Sequence, residues 1–188
     1  MVDLRAAVAA VVDPEIRAIT IDELGILRAV DEEPGTGRVT VTITPTYTGC
    51  PAMDVIRADI RRALAAVGRP DAEVRTVYSP PWSTDWISTT GRTKLAAAGI
   101  APPAPAGSSA QAGSSAQAGS SAQAGSSAQA GPSAQAGPRG PVPLTLAVRC
   151  PRCGSPETEQ VSRFGSTACK ALWRCRSCAE PFDHLKAL

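Results

Sequence analysis

Between residues 3 and 98 the apolar positions change period several times, and each change marks an element. Leu4, Ala7, Val8 and Val11 recur at helical spacing behind Asp3, whose carboxylate suits an N-cap. Asp13-Pro14 should end that helix, because proline pushes its predecessor out of helical backbone. Leu24 to Val30 reads as a strand. Arg38 to Thr44 reads as another and alternates strictly, with Val39, Val41 and Ile43 on one face and threonines on the other. Pro34, Gly35 and Gly37 fit a hairpin loop over Glu32–Gly37 between the two. The strongest helical stripe runs from Pro51 to Val67 through Met53, Ile56, Ile60, Leu64 and Val67, with Asp54, Arg57, Arg61 and Arg62 mostly outside it. Gly68 and Pro70 close that helix. Glu73 to Tyr78 is a third strand, and a short helix over Thr89–Ala98 follows Pro80-Pro81-Trp82. The order α-β-β-α-β-α predicts a small two-layer α+β domain over residues 1–103.

Periodicity then stops. Gly107 to Ala136 is five hexapeptides, four of Gly-Ser-Ser-Ala-Gln-Ala and one of Gly-Pro-Ser-Ala-Gln-Ala. Such repeats have nothing larger than alanine to bury, so they cannot build a packed solenoid. Residues 104–141 therefore read as a flexible, disordered linker with a mean span of roughly 35 Å. It should separate the first domain from residues 142–188 and let the two fold independently.

The second module is organised by Cys150-Pro-Arg-Cys153-Gly154 and Cys175-Arg-Ser-Cys178, with 21 residues between Cys153 and Cys175. Two Cys-x-x-Cys turns can aim four thiolates at one tetrahedral point, with Gly154 free to take the positive φ that such a turn needs. A redox dithiol, a pair of disulfides and an iron–sulfur site are the rival readings. Without a basic start and small-residue exit around the apolar Leu4–Val12 stretch, the chain does not read as secreted. Its six cysteines then point to the reducing cytoplasm, where paired thiols usually bind metal. Zinc is expected at Cys150, Cys153, Cys175 and Cys178, with iron as the alternative. Trp173 and Phe182 would form a core too small to hold without such a staple.

Charge narrows the partners. Residues 142–188 hold seven Lys/Arg against four Asp/Glu, a formal +3 that falls to +1 once four thiolates and a divalent ion are counted. Arg149, Arg152, Arg174 and Arg176 flank the cysteines, where they would offset a dianionic metal–thiolate centre rather than form a phosphate track. Residues 1–103 hold eleven Lys/Arg against thirteen Asp/Glu, hence −2. Nucleic-acid binding is therefore disfavoured, and no apolar run is long enough for a membrane span.

A closed metal site does no chemistry, so function is sought elsewhere. Cys50 stands where a strand and a polar turn give way to the long helix, with Pro51 suited to its first turn. Free amides there should lower the thiol pKa, making Cys50 a better ligand or nucleophile, although a small packed cysteine would fit the same position. Asp13 and Glu15 are either an acidic pair near Cys50 or a solvated helix stop. Cys169, preceded by Phe164-Gly-Ser-Thr-Ala168, sits in a turn that could offer amides to a cluster, and could equally pack. His184, the one histidine, reads as exposed. A stand-alone thiol enzyme lacks a base near Cys50.

Val12-Asp-Pro-Glu-Ile16, Asp22-Glu-Leu-Gly-Ile26 and Thr44-Pro-Thr-Tyr-Thr-Gly-Cys-Pro51 resemble the iron–sulfur assembly family that includes SufT. Pro81-Trp-Ser-Thr-Asp-Trp-Ile87 and Gly91-Arg-x-Lys-Leu95 extend the match. With Phe164–Leu172 and Glu180-Pro-Phe-Asp183, the whole is similar to the PaaD family, whose members are components of bacterial phenylacetyl-CoA epoxidases. Arg17, where relatives often have proline, and the hexapeptide linker depart from that pattern. The resemblance implies a non-catalytic accessory role in phenylacetate breakdown, maturing the iron or iron–sulfur centre of another epoxidase subunit. It implies Cys50 as the functional thiol, carrying iron or a cluster transiently, with Asp13 and Glu15 as neighbours. The other epoxidase subunits and the iron–sulfur assembly machinery are the implied partners. A general SufT-like assembly factor is the alternative.

Overall fold

The computed structural model describes residues 3–104 and 148–186. Helix α1, Leu4–Ala9, is capped as its sequence asks, with Asp3 Oδ1 accepting the Ala6 amide at 3.0 Å. It stops before Asp13-Pro14, because Val11 and Val12 are recruited into extended pairing: Val12 bridges Thr20, and the Ile21 amide donates to the Val11 carbonyl at 2.9 Å. Strand β1, Leu27–Glu32, begins later than the apolar run, since Leu24-Gly25 is spent on a tight turn with Gly25 at φ +77°. A Cβ on Gly25 would lie 2.5 Å from that of Trp86, so the turn requires glycine twice over.

Strand β2, Val39–Ile43, buries Val39, Val41 and Ile43 on the face that its alternation predicted. It pairs antiparallel with β1 and parallel with β3, Glu73–Thr76, giving a sheet ordered β1-β2-β3. Helix α2, Met53–Ala66, lays Met53, Ile56, Ile60 and Leu64 into the core, the last three fully buried. Truncating one of these, as in Leu64→Ala, would cost about 2–5 kcal/mol. The Trp82–Trp86 segment fastens back onto this layer: Trp82 Nε1 donates to the Leu24 carbonyl at 3.0 Å, and the Arg28 guanidinium stacks 3.4 Å from the Trp86 ring centre. Helix α3, Thr89–Ala97, follows with Ser88 as its N-cap.

The strand of the first domain that periodicity missed is β4, Ile100–Ala101. Strands β5 (Thr158–Ser162), β6 (Lys170–Cys175) and β7 (Pro181–Leu185) form the antiparallel ribbon, and β4 joins its edge in parallel with β7. The four-stranded order is β4-β7-β6-β5. Two residues ahead of Pro102-Pro103 carry no strand signal, yet prolines are tolerated beside an edge. Cys169 and Leu185 enter the same apolar cluster as Val8, Ile16 and Leu95. All described residues thus form one compact unit, and the independence suggested by the linker does not survive these contacts. The linker itself, apart from Ala104, lies outside the described residues.

One unit should unfold as one. Single-tryptophan variants retaining Trp82 (in the first domain) or Trp173 (in the ribbon) should report the same denaturation midpoint. Two separated midpoints would show that the ribbon folds alone.

Candidate metal centre and thiol site

The four ribbon cysteines converge. Cys150 and Cys153 lie in the turn before β5, while Cys175 ends β6 and Cys178 follows in the next turn. Gly154 takes φ +74° and donates its amide to the Cys150 carbonyl at 2.9 Å, which closes the first turn around its sulfurs. The two turns are tied by a 2.7 Å contact between the Ser155 and Ser177 hydroxyls. All four sulfurs lie within 4.8 Å of one another, with Cys150–Cys178 at 3.8 Å and Cys153–Cys175 at 3.6 Å. A tetrahedron with zinc–sulfur bonds near 2.3 Å has edges of about 3.8 Å, which these two separations match, so the donor set suits a four-thiolate ion. The Cys178 amide, with that of Ser177, is aimed at the Cys175 sulfur and pulls its pKa down to about 6, the sense that favours metal-binding thiolate. Two flanking arginines are already engaged: Arg152 with Glu180 at 2.8 Å and Arg176 with Glu159 at 2.6 Å. His184 is half-buried rather than exposed, edge-on to Trp173 at 5.7 Å, and burial pushes its pKa down to about 4. It takes no part in the cluster.

A second group of reactive side chains gathers where the ribbon meets the first domain. Asp13 is 4% exposed, and its Oδ1 accepts the amides of Glu15 at 2.9 Å and Ile16 at 2.7 Å. Burial raises its pKa above 3.8 despite those two amides and the nearby Lys170, and Glu15 adds to the rise. It is therefore not the solvated helix stop that sequence reasoning allowed. The ribbon delivers Cys169 beside it, 4% exposed, with Sγ 3.5 Å from Glu15 Oε2 and 3.1 Å from the Thr167 hydroxyl. Burial first, and Glu15 after it, push the Cys169 thiol up to about 11.

Cys50 is half-buried in the turn ahead of α2, its amide donating to the Tyr47 carbonyl at 3.3 Å. The helix proper begins at Met53, so Pro51 precedes the first helical turn instead of occupying it. The amides of Ala52 and Met53 do face the thiol and lower its pKa, but burial outweighs them and Glu15 and Asp13 add to the rise. The expected lowering at a helix start is thus overturned: Cys50 is held as a thiol above its ordinary 9.0. Tyr47 belongs to the same corner, since its phenol is raised by burial and then by Cys50, Glu15 and Cys169.

Lys170, which sequence reasoning passed over, completes the group. It is 5% exposed, with Nζ 3.6 Å from Asp183 Oδ2 and close enough to Asp13 to lower its pKa. Asp183 Oδ2 also accepts the Ser166 hydroxyl at 2.7 Å. Gly165 permits this closeness: a Cβ there would lie 2.7 Å from Asp183 Oδ1 and 3.1 Å from Lys170 Cβ. Nothing in sequence distinguishes a buried lysine from a surface one. Among the described residues no other set of three donors is gathered as tightly as the ribbon cysteines, so the Cys50 corner is an open arrangement. No helix among them is long and apolar enough to cross a membrane.

Comparisons with known proteins match two separate stretches of the chain. Residues 2–77 match the model of the iron-sulfur cluster assembly protein family, and residues 135–186 match that of the PaaD zinc beta ribbon domain. An Escherichia coli protein assigned to the 1,2-phenylacetyl-CoA epoxidase as one of its subunits is 38% identical over 99% of this chain and 92% of its own length. The Fe-S protein maturation auxiliary factor YitW of Bacillus subtilis is 36% identical over 46% of this chain and 83% of its own. Among solved structures, a domain of unknown function (DUF59) from Bacillus anthracis is 31% identical, covers 49% of this chain and 87% of its own, and superposes with a TM-score of 0.45.

The Asp13 geometry separates its cap from its charge. Asp13→Asn keeps an oxygen for the two amides and removes a buried carboxylate. A raised folded-state pKa means that the carboxylate costs stability once the pH passes its unfolded value, 3.8, and increasingly so up to the folded value. Asp13→Asn should therefore be at least as stable as the parent at pH 7, with that advantage vanishing in acid. Asp13→Ala should lose about 1 kcal/mol through the orphaned amides. Urea denaturation at several pH values checks both; an Asn variant destabilised at pH 7 would show that the charge itself holds the turn.

Proposed function

The chain belongs to the PaaD family, with an iron–sulfur-assembly domain followed by a PaaD zinc ribbon, and on that premise we propose that it is an accessory subunit of a phenylacetyl-CoA epoxidase system that matures a metal centre in another subunit. The observation that carries this reading is the pairing of a closed site with an open one. The four-cysteine centre, taken as zinc, is saturated by protein ligands and serves structure. The Cys50 corner holds thiols and carboxylates without locking them around one point. A carrier needs that second condition, because an ion or cluster held by four preset thiolates would not leave. Cys50, half-buried at the edge of the corner, is the thiol that an incoming iron ion or iron–sulfur cluster reaches first. Asp13 and Glu15 supply acidic neighbours whose charges reach Cys50. The role is non-catalytic and cytoplasmic, and the partners are the other epoxidase subunits and the cluster-assembly machinery. The engagement of Arg152 and Arg176 by glutamates favours this over nucleic-acid binding.

The deciding comparison is the epoxidase purified from wild-type, deletion and Cys50→Ala cells. Deletion should leave its subunits at normal abundance with low iron and little activity on phenylacetyl-CoA, and Cys50→Ala should reproduce the defect while its own chain keeps one zinc. Fully loaded, active epoxidase from the deletion strain would overturn maturation. Loss of metal from unrelated iron–sulfur enzymes as well would point to a general assembly factor.

A further inference from the structure

The ribbon does more at the Cys50 corner than lean against it. Its β5–β6 connection is tied down at several points: the Gly165 amide donates to the Lys170 carbonyl at 2.8 Å, Ser166 bonds Asp183, and the Lys186 amide donates to the Cys169 carbonyl at 2.9 Å. These bonds hold Cys169 in one place, facing the first domain. An inert packing cysteine would be expected among apolar atoms only. Here the sulfur meets Glu15 Oε2 at 3.5 Å and the Thr167 hydroxyl at 3.1 Å, and Tyr47 lies within the electrostatic reach of Cys50, Glu15 and Cys169 together. Cys50 packs against the same apolar cluster that Cys169 helps to form.

We propose that Cys169 and Cys50 are the two thiols of one metal-accepting site built across the ribbon and the assembly domain, with Glu15 as its oxygen ligand, and that the site takes a soft or borderline divalent cation such as Fe²⁺. Two thiolates and a carboxylate suit such an ion and leave a coordination position for a donor or client ligand. The Cys50 turn closes on the ion, since the three donors are less tightly gathered than the ribbon's four. Binding breaks both S–H bonds and forms two metal–sulfur bonds. A metal–oxygen bond to Glu15 forms beside them, both thiol protons leave to solvent water, and no electron is transferred. This inference rests on the maturation reading for its purpose but not for its test.

The test uses the full-length, zinc-loaded chain under anaerobic, reducing conditions, titrated with Co²⁺ as a spectroscopic stand-in for Fe²⁺. One further equivalent should bind, with a thiolate-to-cobalt charge-transfer band and no loss of zinc. Cys169→Ser and Cys50→Ser should each weaken that binding by about tenfold or more, and the double variant should be little worse than either, because the two residues serve one ion. Zinc content and the denaturation midpoint report whether each variant is folded. Should Cys169→Ser fail to fold, Glu15→Gln, on the first domain, should weaken cobalt binding in its place. Wild-type affinity in folded Cys169→Ser, or in Glu15→Gln when that variant is the one used, would overturn the inference while leaving Cys50 and maturation standing. Failure of the zinc-loaded chain to bind any cobalt would also overturn it, whereas the maturation reading stands or falls separately on the metal content of the epoxidase.

Discussion

A lysine that is 5% exposed must keep acidic company, because an unpaired ammonium in a protein interior costs several kcal/mol. Lys170 finds Asp183 within its own ribbon and Asp13 across the junction, and Asp13 is itself 4% exposed. Neither group could stay buried if the ribbon swung away. The apolar contacts that Cys169 and Leu185 make with the first domain's core would be lost as well. The same constraint fixes Cys169, the residue before Lys170, against Glu15. Ribbon orientation and site composition are thus one problem with one solution.

This gives the closed metal centre a role at a distance. The four thiolates hold the turn ahead of β5 to the turn between β6 and β7, and β6 begins at Lys170. Strand β4 adds a second fastening by extending the ribbon sheet from the end of α3. A ribbon of this size has little apolar core of its own, essentially Phe182 and Trp173 beside the cysteines and Ala101. Its metal and its docking face therefore stabilise each other.

Much of the fold was legible because it follows from local periodicity. The Val39–Ile43 alternation and the Met53–Leu64 stripe bury as their spacing requires. The paired Cys-x-x-Cys turns likewise specify their own geometry. What was not legible depends on contacts between distant segments. Two residues at Ile100–Ala101 become a strand because β7 offers an edge, not because of their own propensity. Cys50 looked like an activated thiol because helix-start amides were visible in sequence and the burial opposing them was not. Lys170 and Tyr47 lay inside motifs that carried the resemblance, but nothing in the sequence marked them as site residues, since their significance lies in what surrounds them. The linker encouraged a reading of two free modules, and nothing in its composition reveals the interface of the domains it joins.

The claim that the ribbon builds the Cys50 corner is tested most directly by amide hydrogen exchange at Glu15 and Ile16, the two donors to Asp13 Oδ1. Exchange would be compared in the metal-loaded chain and after chelation of the ribbon ion. If the metal holds Lys170 and Cys169 against that turn, stripping it should speed exchange at both amides, although they lie in the other domain. Unchanged protection at Glu15 and Ile16 in a chain shown to have lost its metal would contradict the account.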